Sequence, residues 1–197
     1  AGDVASQMIV DMLADTATNS PRLSTIVDDV EDRLLWVNRR LVDMAAQSKT
    51  IGSTVVVMVV FGRYCVLLWA GDSRIYLSRQ GILAQVTQDH SQVEELVEQG
   101  LLSREDAEKH PSANVITRAV GAADELFVDV DILELQDGDR FLLCSDGLPK
   151  ELSDAEIADR LVSGTCEDAC KSLVGEALER GCRDNITAIA VQFNKSN

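Results

Sequence analysis

The stretch TVVVMVVFGRYCVLLWAGDSRIYLSRQGILAQVT, Thr54 to Thr87, decides the fold. It holds four short segments with the period of strands: Thr54–Phe61, Tyr64–Trp69, Ile75–Ser78 and Ile82–Thr87. The links between them, Gly62-Arg63, Gly71-Asp72 and Gln80-Gly81, are too short for a helical crossover. They predict antiparallel hairpins.

Before this stretch the period is helical. Val4, Met8, Met12 and Leu13 share one face, and Ser20-Pro21 marks a helix start. Leu23, Val27, Val30, Leu34, Val37, Leu41 and Met44 then recur in alternating steps of four and three, one apolar stripe that stops at the polar Gln47-Ser48-Lys49. The stripe suits packing on a sheet of the same domain; a helix-pairing scaffold is the alternative. After the strands, Ser91 to about His110 reads as a polar helical stretch with a Ser103/Asp106 capping box and a stop at Pro111. Strands return at Leu126–Leu135 and Arg140–Cys144, joined by the turn Gln136-Asp137-Gly138-Asp139. Ser153 with Glu156 opens one helix, Thr165 with Asp168 opens another that ends at Gly181, and Ile186–Phe193 alternates as a final strand. The order predicts an α+β fold, antiparallel sheet with helices on its faces.

Composition narrows the function. Eighteen Lys+Arg against 33 Asp+Glu give a formal net charge of −15, with no basic run, which argues against nucleic acid and anionic lipid. At 46% apolar residues the 197-residue chain can bury a core as one domain. Its longest apolar run, Val55–Phe61, falls far short of the roughly 18 residues of a membrane span. Five cysteines, Cys65, Cys144, Cys166, Cys170 and Cys182, form no C-x-x-C pair and read as reduced thiols, as in a cytoplasmic protein. Phosphate-binding glycine loops, zinc motifs and nucleophile elbows are absent from the sequence, and its two histidines, His90 and His110, read as solvated residues of a polar region.

What remains is Asp beside Gly or Asn at strand ends: Gly71-Asp72-Ser73, Ser145-Asp146-Gly147 and Asp184-Asn185. Each is an ordinary turn by itself. Together, carboxylates brought to one rim of a sheet would offer hard oxygen ligands to Mg²⁺ or Mn²⁺. Six segments in order strengthen that reading. They are Ile51–Thr54, Ala70–Tyr76, Thr87–Ser91, Thr117–Gly121, Gly138–Leu148 and Arg183–Thr187. Over essentially the whole chain they resemble the metal-dependent serine/threonine phosphatases of the PP2C (PPM) family, in their compact bacterial form.

The resemblance implies an αββα four-layer sandwich of two antiparallel sheets flanked by helices, one domain over residues 1–197. It implies a flap at about residues 90–121 that influences substrate choice, and two or three Mn²⁺ or Mg²⁺ ions in the intact site. In the family, water activated by two metals attacks the phosphorus of phosphoserine or phosphothreonine. Carried over by position, Asp146 and Asp184 match metal ligands, and Asp72 matches the Asp that shares a third metal with Asp146. Substrates would be phosphorylated proteins made by a Ser/Thr kinase, or the kinase itself, with the phosphatase a monomer. The family's phosphate-binding Arg, its first Asp ligand and its Asp-Gly-Met-Gly-Gly-His run precede the stretch that Ala1–Ser6 resembles. The expectation is therefore a domain lacking its N-terminal strands, with no catalytic residue identifiable in this chain. A phosphoprotein-binding pseudophosphatase is the alternative.

Overall fold

The computed structural model describes residues 2–16, 19–45, 51–107 and 109–195. The polar stop at residues 47–49 and Glu108 of the expected flap lie outside them. Two compact units emerge, Ala1–Gly71 with His90–Ile132, and Asp72–Asp89 with Leu133–Asn197.

The first unit holds helices α1 (Gly2–Ala14) and α2 (Leu23–Ala45), strands β1 (Val55–Phe61) and β2 (Tyr64–Ala70) and most of β5 (Asp129–Glu134), in the sheet order β1-β2-β5. Ala5 and Ile9 of α1 and Val30, Leu34, Val37 and Leu41 of α2 form one core with Val66, Leu68 and Ala70 of the central strand. The apolar stripe of α2 thus packs within its own unit. β1 and β2 pair antiparallel from Val55↔Ala70 to Phe61↔Tyr64, the hairpin expected around Gly62-Arg63. One polar residue interrupts the buried stripe: the Asn38 side chain accepts from Gly121 N–H (2.6 Å) and donates to the Ala123 (2.9 Å) and Asp124 carbonyls. These bonds offset its desolvation and tie the chain after Val120 to α2.

The same unit carries two short helices, α3 (Gln92–Glu98) and α4 (Arg104–Ala107), where the sequence predicted a continuous helical stretch to about His110. Gly100 N–H bonds Val97 O and Leu101 N–H bonds Leu96 O, which closes α3. Ser103 restarts the helix, its hydroxyl accepting from Asp106 N–H at 3.1 Å. The capping residues were read correctly, but they open a second helix.

The second unit contains β3 (Arg74–Arg79), β4 (Ile82–Gln85), β6 (Arg140–Cys144) and β7 (Ala188–Gln192), in the antiparallel order β4-β3-β6-β7, with α5 (Asp154–Leu161) and α6 (Cys166–Glu179). Tyr76, Leu142 and Cys144 pack with Leu148, Leu152, Ile157, Leu161, Leu173 and Ala177. Ile75, Phe141 and Leu143, which point the other way, are buried too, and this two-faced burial explains why the strands read as continuous apolar runs. Both helix starts are capping boxes, Ser153 with Glu156 and Thr165 with Asp168. The turn before β6 is held by Asp139, which takes two bonds from Arg79 (2.8 and 2.7 Å) and one from Gln136 N–H (2.8 Å).

One expected hairpin does not form. β2 and β3 belong to different sheets, so Gly71-Asp72 leads from one sheet to the other and is not a turn between paired strands. Gly71 has φ +120°, and a Cβ there would lie 2.3 Å from Thr54 Cγ2, so only glycine fits this exit from β2. The result is an α+β fold with two antiparallel sheets. No helix among the described residues is long and apolar enough to cross a membrane.

Candidate metal centre

The register of the second sheet assembles the candidate site. Arg74 of β3 pairs with Cys144 of β6, and Cys144 pairs with Ala188 of β7. In antiparallel strands, the residues just before β3, just after β6 and just before β7 therefore meet at the same end of the sheet. Those residues include Asp72, Asp146 and Asp184.

Two of the loops are laced together. Ser145 N–H bonds Thr187 O (3.1 Å), Thr187 N–H returns a bond to Ser145 Oγ (2.9 Å), and Ser145 Oγ donates to Asn185 O (3.1 Å). Gly147 permits the approach: a Cβ on it would sit 2.8 Å from Asn185 O and 3.4 Å from Asp184 Cβ. Asp184 is oriented locally, since its Oδ1 accepts from Asn185 N–H at 2.8 Å. The Cys182 thiol donates toward the Gly147 carbonyl at 3.5 Å.

The electrostatics mark a site that attracts cations. Burial, then the nearby charges of Asp146 and Asp89, push the Asp72 carboxyl up from 3.8 to about 6. A cation already sits among these groups: the Lys150 ammonium bonds Asp146 Oδ2 and lies 3.7 Å from Asp184 Oδ2. Burial opposes the charge on Lys150, but its hydrogen bond to Asp146 and the charges of Asp146, Asp184 and Asp72 prevail and raise its pKa. Asp89 is itself held in a bidentate pair with Arg74 (3.0 and 2.8 Å), whose guanidinium also reaches Tyr76 Oη.

The three carboxylates expected from the sequence therefore lie at one sheet end, with Asp72 coupled to Asp146 and an ammonium shared by Asp146 and Asp184. They do not close into a ready cage, for no group of three or more His, Cys, Asp or Glu among the described residues has the geometry to hold a metal ion. The donor set still fits a hard divalent cation, because all three ligands are carboxylates and a cation already occupies the space between two of them. Sequence reasoning missed Lys150 and Asp89. The signal for Lys150 was its place four residues after Asp146.

His90 departs from the solvated residue the sequence suggested. It is buried, at 6% exposure, in the first unit. Its Nδ1 accepts from Gly71 N–H at 3.1 Å, which assigns the proton of the neutral ring to Nε2, 3.2 Å from Asp129 Oδ2. Its ring stacks on Trp69 with centroids 6.2 Å apart. A backbone N–H and an aromatic face make this burial tolerable. His110 is half-buried and accepts from Ser112 N–H at 3.1 Å.

Comparison with known proteins identifies the family. The sequence profile described as protein phosphatase 2C matches residues 1–180. The serine/threonine phosphatase stp of Listeria innocua is 35% identical over 201 residues, covering 98% of this chain and 80% of the relative. Among solved structures, PppA, a regulatory component of the type VI secretion system of Pseudomonas aeruginosa, aligns with a TM-score of 0.88 and 39% identity over 98% of this chain and 81% of its own. The catalytic domain of the phosphatase PstP, solved in complex with two manganese ions, aligns with a TM-score of 0.82 and 30% identity over 98% and 82% of the two chains.

Proposed function

The chain belongs to the protein phosphatase 2C family and is a serine/threonine protein phosphatase, and we propose that Asp72, Asp146 and Asp184 hold the divalent cations of its reaction. The observation that carries this reading is the Lys150 ammonium shared by Asp146 and Asp184 beside an Asp72 carboxyl whose pKa is raised. Three carboxylates are concentrated there beyond what one lysine neutralises. The manganese bound by PstP, a structural relative, supports the same assignment.

When bound, Mg²⁺ or Mn²⁺ supplies positive charge that lowers the pKa of water and offsets charge on the phosphoryl oxygens. This chain's own residues position that charge. Asp146 and Asp184 stand on loops joined through Ser145, Thr187 and the close approach at Gly147, which fixes the backbone from which both carboxylates reach. Asp184 Oδ1 stays on Asn185 N–H, leaving Oδ2 for a cation. Arg74 pairs with Asp89 and offsets part of its charge, while Asp72, Asp146 and Asp184 share the single ammonium of Lys150.

The substrates are phosphorylated proteins, and we assign to them phosphoserine and phosphothreonine placed by a Ser/Thr kinase. Residues 90–121, with α3 and α4, are assigned the role of the flap that selects among them. The test is Asp146→Asn, assayed by Mn²⁺ titration calorimetry and by phosphothreonine-peptide hydrolysis. The expected result is loss of at least about 100-fold in metal affinity, a ligand loss exceeding the effect of supporting groups, with hydrolysis lost in parallel and in chelator. A folded Asp146→Asn chain that binds Mn²⁺ as the wild type does would overturn the assignment.

A further inference from the structure

A groove of about 720 Å³ runs along α1 beside α2, within the first unit and built from residues the phosphatase reading does not use. Val4, Met8 and Met12 recur at four-residue steps, so they line one stripe of α1, and Trp36 of α2 faces them across the groove. Ala5 and Ile9 of α1 are buried in the core, and Met8 and Met12 also pack against it while remaining half-exposed at the groove. Val4 is left 43% exposed and Trp36 49% exposed. Such side chains stay in water only at a cost that a partner would relieve.

The groove is also charged in one sense. Asp3, Asp11 and Asp15 line it with no Lys or Arg among the lining residues. Arg33 is committed elsewhere, to Asp29 and to the Met12 and Asp15 carbonyls that end α1, and Arg39 and Arg40 lie one turn beyond Trp36, outside the lining. Asp11 and Asp15 flank the C-terminal end of α1, whose last turn has no basic residue.

We propose that this groove docks a cationic amphipathic segment of a partner protein. Its apolar side chains would enter between Val4, Met8, Met12 and Trp36, where the flexible methionines adapt to their shape. Its Lys or Arg side chains would meet the Asp rim and the face of the Trp36 ring. A second copy of this chain is a poor occupant, because the groove is acidic and the chain carries a net charge of −15.

The test uses a capped peptide of Leu and Lys alone, about 14 residues or roughly four turns, with Leu at helical i, i+3, i+4 spacing. Of the two tryptophans, Trp69 is buried, so a change in emission reports Trp36. The expected result is a saturable blue shift, absent in Trp36→Phe, with calorimetric affinity at least about tenfold weaker for Asp11→Lys/Asp15→Lys. Raising ionic strength, which shortens the screening length to below about 10 Å, should weaken it further. The Leu/Glu peptide of identical spacing should not bind. Equal binding of the Leu/Glu peptide, or undiminished binding by a folded Asp11→Lys/Asp15→Lys chain, overturns the proposal. Self-association in sedimentation that disappears in Trp36→Ala would overturn it in favour of a second copy.

Discussion

Replacing Lys150 by Met distinguishes a cation site from an ordinary surface ion pair. The ammonium bonds Asp146 and lies 3.7 Å from Asp184 Oδ2, so a divalent ion taken up by these carboxylates has to displace it. At such a separation a pair of unit charges is worth about 1 kcal/mol in water and about 4 kcal/mol at an effective dielectric of about 20. The Lys150 side chain is 42% exposed, and screening with lost side-chain entropy brings the interaction down to about 1 kcal/mol. That corresponds to about fivefold in a binding constant. Methionine keeps most of the aliphatic stem and deletes the competing charge. Calorimetric titration with Mn²⁺ should therefore show about fivefold tighter binding by Lys150→Met. The metal-free variant should melt about 2–4 °C lower, because the carboxylates lose their one cation. Unchanged affinity in a folded variant would refute the competition. Weaker binding would mean that Lys150 supports the metal geometry, and would equally refute it.

Two further outcomes follow from the carboxylates of the second unit. Burial raises the Asp139 pKa, but the Arg79 guanidinium and the Gln136 amide more than offset it and hold the group below 3.8. Its stabilisation is therefore present above pH 3.8 and lost as pH falls through the lower folded value. Asp139→Asn should cost about 3 kcal/mol at neutral pH by urea denaturation, as a broken buried pair does, and the gap from wild type should narrow below pH 3.8; a gap constant down to strong acid would contradict this. Asp72 runs the other way. Its folded pKa of about 6 exceeds 3.8, so the folded state binds the proton more tightly and loses stability as pH rises from about 4 to 6. In chelator, Asp72→Asn should gain about 1–2 kcal/mol above pH 6, after discounting for partial exposure, and nothing below pH 4. Equal gains at both pH values would reject the linkage.

What the sequence made legible was local. The capping boxes at Ser153 and Thr165 depend on side chains three residues apart, and the hairpin at Gly62-Arg63 depends on a short link between matched strands. The Asp-Gly and Asp-Asn turns flagged the three carboxylates because turn residues at strand ends are local too. The failures were long-range. Nothing in the spacing of Gly71-Asp72 says that β2 and β3 enter different sheets; that follows from β3 pairing with β6, about 65 residues further along the chain. His90 looked solvated because its neighbours are polar, whereas its burial comes from Trp69 and Gly71, about 20 residues away. Continuity of the polar helical stretch failed for a subtler reason: Gly100 and the Ser103 cap were both visible, but a cap inside a periodic stretch marks a new helix as readily as it decorates an old one.

The candidate site differs in stiffness from its occupant. Asp146 and Asp184 hang from backbone loops whose hydrogen bonds continue the pairing of β6 with β7, and Gly147 fixes how close those loops come. Lys150 reaches them on a flexible four-carbon stem from a position four residues beyond Asp146. Exchanging the ammonium for a divalent ion therefore needs little backbone movement, because the mobile partner leaves while the ligands stay. The acidic balance of the chain has the same local logic. Burial of Asp72, and the carboxylates crowded beside it, destabilise the metal-free fold, as its raised pKa records, and a bound cation would return that energy as affinity. A site built this way should trade metal-free stability for metal binding, so the substitutions that relieve its charge should stabilise the empty chain and weaken the loaded one.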